Sequence, residues 1–462
     1  MRVILLNLPW NENGRLGVRA GSRWPFTSEP GKDGRIHYIP FPFFLAYAAS
    51  LLKKEGKDVL LIDAIAEEMQ EQKLIEEAES FNPGLIVIES STPSFVNDLR
   101  IACDIHRKLP SSQIAICGPH ASVFPEEILS EYDFIDYILI GEYEYTLLDL
   151  VNHLEAAFSL ESILGLAYRD GIKIAINNNR PAIDNLDDLP WPQRNGVSIY
   201  KYNDSFAGLP CPNVQMVSSR GCPFQCTYCL WPQTMYGEHR CRKRNPIKVV
   251  DEAEYLIKEF DFKAIYFDDD LFNADRDHVL GICEEIKKRK IGIPWAVMAR
   301  ADLMDEKLLE SMFDAGLYAI KYGIESVDNN ILQFCNKNMD LAKAYQIVRF
   351  TRALGIKVHL AFCLGFPGET KQTIRETLRF IEDTRPDSLQ FSFATPFPGT
   401  EYFNYMDDQG LLLSKDWSDY DANYKCIVKS RDLSNKDLEK IFITLNNNPF
   451  NLKDSTGSHG IL

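Results

Sequence analysis

The sequence predicts an α/β protein with two successive strand–helix arrays, the first a doubly wound parallel sheet, followed by a small α-rich cap. Three observations carry this. Short apolar runs alternate with helical stretches over residues 1–155. The alternation resumes over 211–400, where almost every run ends in a polar residue. The first run of that second array feeds straight into Cys222, Cys226 and Cys229, a CxxxCxxC spacing.

Val3-Ile4-Leu5-Leu6-Asn7 is apolar without alternation, as suits a parallel strand buried on both faces. A buried helix is expected near 43–54, ending at the Lys53-Lys54-Glu55-Gly56 stop signal. Strand Val59 to Asp63, a charged helix near 66–80, strand Leu85 to Ile88 and a helix near 94–109 follow. Strands Ile114 to Cys117 and Tyr137 to Ile140 and a helix near 145–155 complete the set. Ligands of such sheets bind beyond the strand carboxyl ends. The loops at Asn7 to Trp10, Asp63 to Ile65, Ser90 to Ser94, Gly118 to Ala121 and Gly141-Glu142 are therefore the candidates. No GxGxxG is present, which argues against a dinucleotide. The glycine-rich loop Gly17 to Trp24 is long enough to be functional and receives no role. Residues 156–210 read as a connector.

In the second array, strands are expected at Val214 to Ser218, Ala264 to Phe267, Trp295 to Met298, Ala319 to Tyr322, Lys357 to Phe362 and Leu389 to Phe393. Residues 401–462 read as the α-rich cap, with a polar tail from Asn451.

The chain carries 50 basic and 66 acidic residues, a formal charge of −16, which disfavours a nucleic-acid partner. The basic cluster His239 to Arg244 reads as a solvated rim or as a clamp for phosphate or carboxylate. Eleven cysteines, scattered apart from the triad, form no secreted disulfide framework and suit a reducing cytoplasm. Met1-Arg2 leads directly into a strand, so no signal peptide is expected. The apolar stretch Phe41 to Leu52 is too short to span a bilayer.

Three thiolates on one loop can hold three corners of a 4Fe–4S cluster and leave the fourth iron open to a small molecule. A zinc site is the alternative, with Cys241 or His239 as fourth ligand, although the paired CxxC spacing of zinc motifs is absent. Polar groups at the ends of the other strands have bland readings too. Asp268-Asp269-Asp270 can be a helix N-cap with solvated neighbours, Arg300 an ion pair with Asp302 or Glu325, and Glu325 a structural carboxylate.

Cys222-Pro-Phe-Gln-Cys226-Thr-Tyr228-Cys229, Gly323-Ile-Glu325-Ser326 and Gly365-Phe-Pro-Gly-Glu-Thr370, in order on successive strands, resemble the radical S-adenosylmethionine (radical SAM) superfamily. The resemblance implies a partial (β/α)6 barrel with the cluster on the three cysteines and SAM on the open iron. It further implies Tyr228 near the adenine, Asp268 and Asp269 at the methionyl amine, Arg300 at the carboxylate and Glu325 at the ribose, with Ser326 beside it as a further cofactor contact. The first 155 residues resemble the cobalamin-binding domain that precedes many such barrels. The matching positions are Ser90, Ser91 and Thr92, then Gly118 and His120, then Glu142, all implied to lie along the corrinoid or its nucleotide tail. Asp63-Ala-Ile65-Ala-Glu-Glu68 departs from the DxHxxG of some cobalamin domains. Ile65 replaces the histidine, so no protein imidazole is expected below cobalt unless His120 serves.

The resemblance therefore implies a cobalamin-dependent radical SAM methyltransferase. A 5′-deoxyadenosyl radical would activate a carbon of a small-molecule or lipid-like intermediate, and methylcobalamin, across the interface, would methylate it. A flavodoxin or ferredoxin would supply electrons. Radical cyclisation, rearrangement or ring contraction is the alternative reaction. A non-catalytic cobalamin or zinc sensor is the alternative from another class.

Overall fold

The computed structural model describes residues 1–18, 24–30 and 38–447. Most of the loop Gly17 to Trp24 and the tail from Asn451 lie outside the described residues. Contacts divide the chain into two compact units. The first comprises Met1–Tyr202 with Leu230–Glu238 and Asp416–Ser418, and the second comprises Asn203–Cys229, His239–Lys415 and the residues from Asp419.

In the first unit, β1 (Arg2–Asn7), β2 (Asp58–Asp63), β3 (Leu85–Glu89), β4 (Gln113–Cys117) and β5 (Tyr137–Leu139) form a parallel sheet in the order β2-β1-β3-β4-β5. Val3 pairs with Val59 on one side and Leu85 on the other. All five residues of β3 are buried, which explains why these runs are apolar without alternation. The strand order reverses beside β1, and the carboxyl ends there carry Asn7, Asp63 and Ser90.

The segment expected as a connector does more than connect. β6 (Leu166–Asp170) pairs antiparallel with β5 and turns through Gly171 (φ +62°) into β7 (Lys173–Ile176). Leu166, Ala167 and Tyr168 are buried against the edge that β5 would otherwise expose. The charged helix also starts later than expected, at Glu71, because Asp63 accepts hydrogen bonds from the Ile65 and Ala66 backbone and folds that stretch as a turn.

The second unit holds six parallel strands in chain order: β8 (Asn213–Met216), β9 (Ala264–Phe267), β10 (Trp295–Ala299), β11 (Leu317–Glu325), β12 (Lys357–Leu364) and β13 (Ser388–Phe393). This is the expected partial barrel. Its interior is packed at the amino-terminal end, where Phe206 and Leu209 join Ala264, Tyr266, Ala296 and Ala319. Buried polar groups lie there too, with Lys321 paired to Asp204 at 2.9 Å and His359 against Phe206, while the loop bearing the three cysteines leaves the opposite, carboxyl end. The helix Asn435–Asn447 covers β13, with Phe442 stacked 4.5 Å from Phe393. Among the described residues no helix is long and apolar enough to cross a membrane.

Candidate functional site

The loop that follows β8 is fixed before it reaches its first cysteine. Asp269 accepts from the Ser218 backbone N–H (2.7 Å), the Ser218 hydroxyl (2.5 Å) and the Ser219 hydroxyl (2.7 Å). Asp270 accepts from the Gly221 N–H at 2.7 Å. A side chain at Gly221 (φ +88°) would meet the Arg240 carbonyl at 2.2 Å, so only glycine allows this crossing. Two of the three consecutive aspartates therefore brace the loop, and Asp268, buried on the same strand end, donates its N–H to Met216.

The basic cluster is divided: Arg240 and Lys243 are exposed at the rim, and the other two arginines turn inward. Arg242 and Arg244 are buried, and Arg244 donates to Glu252 (2.6 Å) and to the Val217 carbonyl (2.9 Å). It supports the strand end from below.

Along the cysteine loop, the Thr227 N–H donates to the Cys335 carbonyl (3.0 Å) and the Thr227 carbonyl accepts from Tyr402 N–H (3.0 Å). Asn336 donates to the Gln225 carbonyl (2.9 Å), and His239 Nδ1 lies 3.0 Å from the Phe224 carbonyl. Backbone groups are held while three half-buried cysteine side chains stay within eight residues of one another. Burial pushes the Cys222 thiol up to about 12 and raises that of Cys226, against the pull of Lys337 and Arg300. A metal-free loop thus keeps protons that a soft metal centre would displace. Among the described residues no three His, Cys, Asp or Glu side chains converge at single-ion distances. A cubane spreads its thiolates over separate irons and needs no such convergence.

Around the loop stand the residues expected for SAM. Arg300 pairs with Asp302 in a two-pronged bridge (Nε–Oδ1 3.0 Å, Nη2–Oδ2 2.8 Å) and lies 3.9 Å above the Phe224 ring. Its third nitrogen, Nη1, is buried with no hydrogen-bond acceptor. A carboxylate would satisfy it, so the donor set fits the methionyl end of SAM. Glu325 adopts the left-handed φ of +67° at a bulge between β11 and β12. Strain of this kind in a non-glycine residue clusters at functional sites. Its Oε1 accepts from Lys337 (3.1 Å) and its Oε2 from the Cys363 thiol (3.1 Å). Ser326 is buried, and its hydroxyl accepts from the Asp328 N–H at 3.2 Å. Tyr228 is buried 5.2 Å from the Phe366 ring, which brings the cysteine loop and the Gly-Phe-Pro-Gly-Glu-Thr bend together. In that bend Glu369 accepts from the Gly365 N–H, and burial raises its carboxyl to about 8.

In the first unit the expected corrinoid positions lie on three strand-end loops, and those of Ser90 to Thr92 and Gly118 to His120 are in contact. A Cβ at Gly118 (φ +100°) would fall 2.3 Å from the Ser90 carbonyl, so backbone lies on backbone. The hydroxyls point inward. Ser90 and Ser94 each donate to Asp98 at 2.7 Å, Ser91 lies 3.1 Å from Ser94, and Thr92 lies 3.2 Å from His120 Nδ1. His120 is 2% exposed among Phe95, Phe124 and Trp417, and burial lowers it to about 3. Burial among these rings keeps the imidazole neutral. Glu142 is buried and accepts from the Ile183 N–H at 2.9 Å. Ile65 is buried at the position where other cobalamin domains carry histidine.

Sequence reasoning missed Lys337 and Trp417. A lysine between two asparagines looks like an exposed turn, and Trp417 reaches His120 from almost three hundred positions away along the chain.

Residues 216–381 match the family model of the radical SAM superfamily, and residues 34–151 match that of the B12 binding domain. The chain is 30% identical over 400 residues to an uncharacterized methyltransferase of Pyrococcus horikoshii, covering 87% of this chain and 85% of the relative. It is 31% identical over 384 residues to the anaerobic magnesium-protoporphyrin IX monomethyl ester cyclase of Cereibacter sphaeroides, covering 80% of this chain and 60% of that enzyme. Its fold is similar to that of OxsB, a cobalamin-dependent S-adenosylmethionine radical enzyme solved with aqua-cobalamin and S-adenosylmethionine. The TM-score is 0.74 at 19% identity, over 98% of this chain and 68% of that one.

Proposed function

Because the chain belongs to the cobalamin-binding radical SAM methyltransferase family, we propose that it methylates an unactivated carbon of a small-molecule or lipid-like biosynthetic intermediate. Its cofactors are a 4Fe–4S cluster, SAM and cobalamin, which when bound supply radical generation from SAM and a transferable methyl group. The protein's own part is to hold and shield them. Cys222, Cys226 and Cys229 would carry the cluster on a loop whose backbone is already clamped. Arg300 would present Nη1 to the methionyl carboxylate and Asp268 its carboxylate to the amine. Glu325 and Ser326 would face the ribose, and Tyr228 with Phe366 the adenine. Asp269 would act one step back, as the brace of the loop. In the first unit, the backbone of the Ser90–Thr92 and Gly118–His120 loops, together with Glu142, would line the corrinoid or its nucleotide tail.

The single observation that carries this reading is the buried, acceptor-less Nη1 of Arg300 at the carboxyl end of the barrel that bears the three cysteines. A low-potential donor such as flavodoxin or ferredoxin in a reducing cytoplasm would complete the system, consistent with eleven unbridged cysteines. Anaerobic turnover with methyl-labelled SAM and candidate metabolites tests the reaction. Labelled methyl product together with 5′-deoxyadenosine is expected. Formation of 5′-deoxyadenosine with an unmethylated, rearranged product would select the second reading, cyclisation or ring contraction, which the similarity to the Cereibacter cyclase favours.

A further inference from the structure

We propose that Lys337 is a positioning residue that holds Glu325 in its left-handed conformation and sets one buried positive charge against the cysteine loop, tuning both SAM affinity and cluster potential; this rests on the cofactor reading above.

The segment Cys335–Asn338 follows the short helix Asn329–Phe334 and lies along the cysteine loop. Three successive residues grip that loop. The Cys335 carbonyl accepts from Thr227 N–H (3.0 Å), the Asn336 amide donates to the Gln225 carbonyl (2.9 Å), and Lys337 Nζ lies 3.5 Å from the Tyr228 hydroxyl. Asn336 (φ +51°) and Asn338 (φ +44°) are both left-handed, a conformation asparagine tolerates better than most residues. These two turns bracket Lys337 and send its side chain into the interior, where it is 6% exposed.

A buried ammonium needs compensation. Glu325 Oε1 provides it at 3.1 Å, and Gly323 makes the pairing possible. A Cβ there would sit 2.6 Å from Glu325 Oε1 and 3.5 Å from Lys337 Nζ. The pair therefore occupies the space of the missing side chain, just above the barrel strands. Burial opposes the charge on Lys337, while Glu325 at 3.1 Å holds it. Lys337 and Arg300 both flank the cysteine loop, Lys337 Nζ 3.5 Å from the Tyr228 hydroxyl and Arg300 3.9 Å above the Phe224 ring. Against three thiolates and the carboxylates of Asp268 to Asp270, a fixed positive charge stabilises the more negative form of a bound centre.

The test uses the full chain, reconstituted anaerobically with iron and sulfide, as wild type, Lys337→Met, Lys337→Arg and the double variant Glu325→Gln/Lys337→Met. Iron content, SAM dissociation constant by equilibrium dialysis and cluster midpoint potential by EPR-monitored titration are read. Lys337→Met is expected to bind SAM at least tenfold more weakly and to shift the cluster to a more negative potential, with Lys337→Arg restoring the potential. The double variant removes both charges of the pair, so it is expected to regain part of the potential lost in Lys337→Met while SAM stays weakly bound, since Glu325 is also gone. Wild-type affinity and potential in Lys337→Met would reduce the pair to packing and overturn the proposal. If Lys337→Met loses iron, retention of iron by Lys337→Arg supports the charge role, and loss in both overturns it. A wild-type protein that binds iron on other residues, or binds no SAM, would instead overturn the cofactor reading itself.

Discussion

The Cβ that Gly118 lacks would lie 2.3 Å from the Ser90 carbonyl oxygen. Backbone lies on backbone there, and the Ser90 N–H completes the contact on Cys117 O at 2.9 Å. Gly118→Ala must both displace Ser90 and adopt φ +100°. Gly118→Ala is expected to destabilise the first unit by roughly 2–4 kcal/mol, the range of a strained core substitution. It should also abolish cobalamin uptake, measured as corrinoid absorbance retained after gel filtration. Full uptake would remove these loops from the binding surface.

Asp268 and Asp269 should separate cleanly. Asp269→Ala strips an acceptor from one buried N–H and two buried hydroxyls. Leaving such groups unpaired costs about 2–4 kcal/mol in all. The urea midpoint and the iron-to-protein ratio after reconstitution should both fall. Asp268→Ala should load iron normally and weaken SAM binding. Equal iron loading in the two variants would contradict the bracing role.

Arg300→Met removes the buried donor and leaves Asp302 without its partner. A hydrogen bond between charged groups is worth about 1.5–3 kcal/mol, or roughly 10- to 100-fold in affinity. SAM affinity should fall by that factor, with iron content retained. An unchanged dissociation constant would assign the SAM carboxylate to another residue.

Glu369 gives a pH signature. Burial raises its carboxyl to about 8 in the folded protein, although the Gly365 N–H works against the shift. Its folded value exceeds the unfolded one, so its stabilising contribution is complete below the unfolded carboxylate range and is lost as pH rises through about 8. The slope approaches about 1.4 kcal/mol per pH unit within that window. Glu369→Gln should erase it. The stability difference between variant and wild type, followed by urea denaturation, should grow in favour of the variant from pH 5 to 8 and then level off. A flat difference would show that Glu369 titrates normally.

Legibility in the sequence followed the range over which each feature is encoded. Runs such as Val3 to Asn7 announce buried parallel strands by themselves, and the three cysteines lie on one loop, so both are local. The hairpin β6–β7 escaped because an edge pair needs little apolar pattern, and only Leu166, Ala167 and Tyr168 are buried in β6. The bracing by Asp269 was not legible because it depends on Ser218 and Ser219, on a neighbouring strand end. Lys337 was invisible because its burial depends on the backbone conformation of Asn336 and Asn338 and on the absent side chain of Gly323. The enclosure of His120 by Phe95, Phe124 and Trp417 was equally hidden, because Trp417 arrives from a distant part of the chain.

The most direct test of the central claim, an iron left open by Cys222, Cys226 and Cys229, is electron-nuclear double resonance on the reduced, anaerobically reconstituted protein with SAM carrying ¹⁵N at its amino group. The account predicts a ¹⁵N coupling to the cluster that is lost when SAM is omitted. A reduced cluster whose spectrum ignores saturating SAM would contradict it.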